Sequence, residues 1–280
     1  NTIEMHLMAD HFLKQSFTKI VVNTSEMPEY MKLKFDSILV KSLNFSTLSK
    51  YLAELNQNKI INIDFSCKCI ELIQSNQPLH IKLESLKTID LSCNKIKHLD
   101  KDCFISVSNV EELNLSDNLI DDLKYGWSNG LANLKILDLK NNRIKQISTI
   151  NLNSLEVLLL DENKIEQIDK DNFRSLVSLK ILSLRANKIK KIEESMFNGL
   201  RQLQELYLNS NNISIIEGEC FNEMANLKRL DLSYNQLKNV QIFMFKYLNI
   251  LNILVLCGNK NMKLEKDFFN KIKNLKVLFT

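Results

Sequence analysis

The chain has 280 residues, 45% hydrophobic and 25% charged, with 5 Gly and 2 Pro. That balance is globular and excludes a collagenous, low-complexity or linker-rich chain. A net charge of +4, spread among both signs, gives no ground for a nucleic-acid partner, and no apolar run approaches the roughly 18 residues of a membrane span.

In chain order, residues 1–16 read as an irregular N-terminal segment or degenerate cap, with Ile3, Leu7, Met8, Phe12 and Leu13 as one apolar face. Residues 17–280 read as a second region built of repeating units. The first unit starts at Phe17, with Ile20, Val22 and Met27. The next starts near Val40, with Leu43 and Phe45, and a third at Ile60, with Ile63, Phe65 and Ile70. Ser25, Leu48 and Lys68 stand where later units carry Asn. Terminal units of a stack are often degenerate in this way. Pro78 marks a local break before the regular region.

From Leu86 the pattern is regular. Units start at Leu86, Val110, Leu134, Leu155, Leu179, Leu203, Leu227 and Leu251, with a partial one at Leu275. The step is 24 residues except from Leu134 to Leu155, where it is 21. Asn187, Asn211, Asn235 and Asn259 keep this step, as do Phe197, Phe221, Phe245 and Phe269. A fixed period in this range signals stacked supersecondary units, each unable to bury its apolar face alone. In Leu179 to Arg185 the alternation predicts a short strand, with Leu182 and Leu184 inward and Ile181, Ser183 and Arg185 outward. Asn187 then turns the chain inside the stack, where its amide can pair with loop backbone. The predicted fold is an α/β solenoid, a leucine-rich-repeat horseshoe. It has a parallel concave β-sheet, partly helical returns and about eleven repeats of mostly 24 residues. The sequence stops inside a strand, so the natural chain is expected to continue past Thr280.

Cys67 and Cys93 hold the same place in successive units. Adjacent parallel strands lie about 4.8 Å apart, inside the usual Cα range for a disulfide. The pair is a disulfide candidate; the other reading is two half-buried thiols. No Cys and His set has zinc spacing, the four His share no repeat position, and no catalytic motif occurs. The chain is therefore read as non-enzymatic, with no metal and no cofactor.

Outward strand positions are where binding would sit. Asp64 and Asp90, continued by Asn114 and Asp138, read as a solvated acidic ladder. Ile136, Val157 and Ile181 then align at one outward position, with Leu159 beside Val157. Contiguous outward aliphatics mark interfaces, and Arg185, Tyr207 and Arg229 add residue types favoured at hot spots. These seven residues are the candidate surface for a protein partner. Ile253, Val255 and Val277 form a second, smaller group. The basic residues that recur after the Asn, such as Lys95, Arg143, Lys164 and Lys188, read as a solvated edge. Asn23, Asn44, Asn114 and Asn212 lie in N-x-S/T sequons and are glycosylation candidates if the protein is secreted.

The 24-residue unit with its Phe row resembles the typical repeat of extracellular animal proteins, including Toll-type receptor ectodomains. The opening, Lys19-Ile-Val-Val-Asn-Thr-Ser-Glu-Met27, Leu33-Lys-Phe-Asp-Ser-Ile38 and Leu43-Asn-Phe45, is similar to insect secreted leucine-rich-repeat immune proteins. An early repeat of that family also loses its Asn, as Leu48 does here. Its mosquito members bind and stabilise thioester complement-like proteins. The family's cysteine-rich C-terminal cap, interchain cysteine and coiled coil are not seen in residues 1–280, a departure from its pattern. The resemblance implies a secreted, extracellular recognition module of insect innate immunity. Its partner would be a complement-like thioester protein or another leucine-rich-repeat chain. The alternatives are a Toll-like or adhesion receptor ectodomain and, further off, an intracellular scaffold.

Overall fold

A computed structural model of the chain describes residues 2–8, 30–36, 42–43, 60–73, 84–265 and 274–279. The chain forms two compact units, residues 1–138 and 139–280.

In the first unit the strands Thr2–Met8, Tyr30–Asp36, Ile60–Asp64, Thr88–Asp90, Glu112–Asn114 and Ile136–Asp138 lie side by side in that order. Each pairs in parallel with the next, as in Ile63↔Ile89 and Leu113↔Leu137. The second unit repeats the plan with Val157–Leu159, Ile181–Ser183, Glu205–Tyr207, Arg229–Asp231, Ile253–Val255 and Val277–Phe279. These too run parallel and in order. Chain order equals spatial order because each coil stacks only on its neighbours, which is the solenoid the 24-residue period predicts.

The interior follows the repeat letters. Leu182, Leu184, Leu206, Leu208, Leu230 and Leu232 are all 0% exposed. The Asn row is buried with them and fully used. Asn187 donates to the carbonyls of Leu184 and, one coil back, Leu160, while its Oδ1 accepts from Ile165 N at 3.0 Å. Asn118 does the same for Leu115, Leu91 and Ile96. These backbone groups follow the strand, where no sheet partner remains for them, so the side-chain amide replaces the ladder. On the opposite side Phe197, Phe221 and Phe245 stack with centroids 6.2 Å apart. In the first unit Trp127 packs edge-on to Phe104 at 6.4 Å. The returns run very close: a Cβ on Gly199, whose φ is +94°, would come within 2.6 Å of the Arg174 carbonyl oxygen.

Two expectations are corrected. The returns are predicted as partly helical, but among the described residues they are turns and two-residue strands, such as Lys191–Ile192 paired with Ile215–Ile216, with one 3-10 helix, Ile242–Phe245. Bonds such as Ile105 N to Asp102 O and Val107 N to Phe104 O set the three-residue spacing. So few residues must span a coil that a turn-rich path wins over an α-helix. At the N-terminus, the stretch expected to be irregular carries the strand Thr2–Met8. The next described strand of the sheet is Tyr30–Asp36, and Ser42–Leu43 pairs with the return segment Leu72–Ile73, while the expected unit starts at Phe17 and Val40 lie outside the described residues. The reason is a competing period. Ile3, Met5 and Leu7 alternate, and so do Met31, Leu33 and Phe35, with which they are in register. A period of two makes a strand whether or not the 24-residue lattice is present.

Candidate protein-interaction surface

The outward face of each unit is built from the strand residues flanking the buried leucine. In the second unit Val157 is in register with Ile181 and Leu159 with Ser183. Val157, Leu159 and Ile181 are half-buried, and their aliphatic surface borders solvent on the face opposite the core. The next strands change character. Ile181 pairs with Glu205 and Ser183 with Tyr207, and those pair in turn with Arg229 and Asp231.

These four form a compact polar and aromatic cluster. The Tyr207 hydroxyl donates to Glu205 Oε2 at 2.5 Å, and the Arg229 guanidinium lies 5.4 Å from the Tyr207 ring centroid. Burial, followed by the Glu205 carboxylate, pushes the Tyr207 phenol up to about 12. Asp231 faces Arg229 at 3.8 Å and accepts hydrogen bonds from Ser233 N and Oγ. Asn209 Oδ1 and Arg229 Nε are buried without a hydrogen-bond partner. Leaving such groups unpaired costs about 1–3 kcal/mol each.

Of the residues singled out from the sequence, Val157, Leu159, Ile181, Tyr207 and Arg229 come together on one face of the second unit. Arg185 is exposed just beyond the strand end, and its backbone N–H donates to Asp161. Ile136 belongs to the first unit, half-buried and in register with Glu112. In the second apolar group, Ile253 is half-buried and in register with Val277, whereas Val255 is 7% exposed and belongs to the core.

The acidic row is half-exposed, and its side chains also close turns. Asp64, Asp90 and Asn114 each accept from the backbone N–H two residues on, at Ser66, Ser92 and Ser116, over 2.8–3.0 Å. The Asx turn is the local device that lets these side chains end a strand. Asp161 does related work across coils, accepting from the Ser183 hydroxyl and from Arg185 N. The D-x-S spacing of Asp64, Asp90 and Asp231 was the available signal. Among the described residues no group of three His, Cys, Asp or Glu could hold a metal ion.

A second lateral feature was also missed. From Lys87 on, the residue before each strand's outward pair alternates between Lys and a Glu or an uncharged amide. Lys87 and Lys135 both reach Glu111, at 2.6 Å each. Lys180 reaches Glu156 at 2.7 Å, and Lys228 donates to Gln204 at 3.0 Å. The two lysines hold the Glu111 carboxyl down at about 2. The Lys and Glu of this row thus face each other rather than a partner. The basic edge after the Asn is exposed as expected at Lys95, Arg143, Lys164 and Lys188.

Asn212 is exposed and Asn114 half-buried, with Asn114 Oδ1 engaged by the Ser116 of its own sequon; Asn23 and Asn44 lie outside the described residues. Cys67 and Cys93 are free, exposed thiols. Among the described residues no helix is long and apolar enough to cross a membrane.

The family described as Leucine rich repeat matches in five overlapping windows, residues 84–144, 108–163, 153–213, 178–237 and 201–259. It is a repeat scaffold and not an enzyme family. No curated protein matches the chain. Among solved structures, the chain is similar to TLR13 in its complex with ssRNA13, at 26% identity and a TM-score of 0.74, over 90% of this chain and 35% of that one. It is also similar to a leucine-rich-repeat protein of Leptospira interrogans, at 26% identity and a TM-score of 0.66, over 88% of this chain and 57% of that one. The structure of the Toll–Spatzle complex of Drosophila shares the fold, at 22% identity and a TM-score of 0.72, over 90% of this chain and 36% of that one. The chain thus spans about a third of the TLR13 chain and just over half of the Leptospira one. With the family matched across residues 84–259 and the solenoid built as its repeat requires, the chain belongs to the leucine-rich repeat family.

Proposed function

We propose that this chain is a secreted, non-enzymatic recognition module of insect innate immunity. It binds a protein partner through the strand face of its second unit. The observation that carries the reading is the change of chemistry on that face. Val157, Leu159 and Ile181 are aliphatic where the scaffold requires no apolar residue, and the Glu205, Tyr207, Arg229 and Asp231 cluster adjoins them. An apolar centre beside a Tyr and Arg cluster is the composition of an interface core. Arg185 is assigned to the same partner surface, and Asn212 to an N-linked glycan. The partner class implied by the resemblance of residues 19–45 is a thioester complement-like protein or a second leucine-rich-repeat chain.

A second reading, the ectodomain of a Toll-like receptor, is favoured by the similarity to TLR13 across 90% of this chain. The sequence of the full gene product separates the two, since a receptor needs a membrane anchor. Secretion is tested by expression in insect cells: the proposal requires protein in the medium with glycan on Asn212, and retention in the cytosol sinks it. Binding is tested with a purified thioester protein and, as a contrasting arm, single-stranded RNA. Saturable RNA binding that survives Val157→Asp together with Ile181→Asp would replace the protein-partner reading.

A further inference from the structure

We propose that Cys67 and Cys93 are a dithiol site that closes into an inter-coil disulfide, tying together two neighbouring coils of the first unit. The two residues sit at equivalent points of coils locked in register, Asn62↔Thr88, Ile63↔Ile89 and Asp64↔Asp90. Beyond the strands the lock continues. Phe65 N donates to Asp90 O at 2.7 Å, Cys67 N to Ser92 O at 3.0 Å, and Lys68 N to Asn94 Oδ1 at 2.8 Å. Both cysteines have the same backbone conformation, with φ of 57° and 55°. Both are exposed. In-register coils hold equivalent Cα atoms roughly 4.8 Å apart, inside the roughly 4.4–6.8 Å span of disulfides.

The position itself does not demand cysteine. Asp117, Asn141, Ala186 and Tyr234 take the same left-handed conformation at the equivalent turn of other coils. Cysteine there in two adjacent coils is therefore explained by pairing rather than by the turn. The Cys93 thiol is held above its ordinary value by desolvation first, and then by Cys67 and Asp117, so it stays protonated near neutral pH and exchange is faster at higher pH.

The chemistry is thiol–disulfide exchange with a small-molecule disulfide of the glutathione disulfide class. One protein thiolate attacks a glutathione sulfur and expels one glutathione thiolate, which takes up a proton. The second cysteine, deprotonated by solvent base, attacks the protein sulfur of the mixed disulfide and expels the other glutathione. Two protein thiols and one glutathione disulfide thus give one protein disulfide and two glutathione thiols. The inference is independent of the partner-binding reading. It does bear on compartment, because such a bond persists only in oxidising surroundings.

The test is peptide mapping of the full chain after equilibration with glutathione disulfide and alkylation of the remaining thiols. The expected result is a Cys67–Cys93 linked peptide in more than half of the molecules, lost on reduction. The link should persist in Cys69→Ser and be absent in Cys93→Ser. Mapping of the unsubstituted chain decides the matter even where a variant fails to fold. Full alkylation of Cys67 and Cys93 after exchange, or a Cys67–Cys69 link instead, overturns the proposal.

Discussion

The two units use one coil for two different outer surfaces. Inside they are interchangeable: Asn118 in the first and Asn187 in the second satisfy the same three kinds of backbone group, and buried leucines flank both. Outside they diverge. The first unit presents Thr88, Glu112, Asp64, Asp90 and Asn114, the last three folded back into Asx turns. The second presents Val157, Leu159 and Ile181, then the Tyr207 and Arg229 cluster. Since the backbone is the same, the difference is carried by side chains alone. The lattice makes the positions, and their occupants decide what is recognised.

The sharpest way to break this comparison is through the shared interior. Phe221→Ala, which removes the middle ring between Phe197 and Phe245, is expected to cost about 3–5 kcal/mol in urea denaturation. Next come the amides. Asn187→Ala leaves Ile165 N unpaired in the interior and removes one of the two donors at Leu160 O and Leu184 O, which Asn163 and Asn211 still reach, and about 1–3 kcal/mol of stability should be lost. Asn118→Ala should cost the same within error. If the two differ by more than about 1 kcal/mol, the coils are not equivalent and the comparison fails.

The smallest effect concerns charge. Glu111 sits between Lys87 and Lys135, and its folded value of about 2 lies below the ordinary carboxylate value of 4.5. A depressed carboxylate stabilises the fold above its unfolded value and loses that contribution as pH falls through the folded one. The loss should therefore fall between pH 4.5 and 2. All three partners are partly exposed, so solvent screening keeps the contribution below about 1 kcal/mol. Glu111→Gln should flatten the pH dependence of stability in that window. An unchanged slope would show that the lysines and Glu111 do not act as a unit.

Legibility in the sequence followed the same division. The regular coils were readable because a Leu, an Asn and a Phe recur at fixed spacing, and each letter has one structural job. Leu182, Asn187 and Phe197 are buried where their positions require. The N-terminal strands are less legible because their signal is the alternation of Ile3, Met5 and Leu7, which the long period does not contain. The turn-closing role of Asp64 and Asp90 is not visible in the acidic row itself, because it depends on a bond to the N–H two residues on. On the candidate surface, side-by-side placement of Val157 and Ile181 followed from register alone. The coupling of Tyr207, Glu205 and Arg229 did not, because it depends on side-chain reach across neighbouring strands.

The central claim is that recognition resides on the strand face of the second unit. The most direct test is the affinity of a purified thioester complement-like protein for three forms of the chain. These are the unsubstituted protein, the Val157→Asp and Ile181→Asp double variant, and a Thr88→Asp and Glu112→Lys double variant on the first unit. All three must have matching thermal stability. The account predicts binding to the unsubstituted chain and a loss of at least about 100-fold for the second-unit variant, or about 2.7 kcal/mol. It predicts no change for the first-unit variant. Equal affinity for the unsubstituted and second-unit forms, or a loss confined to the first-unit form, would contradict it.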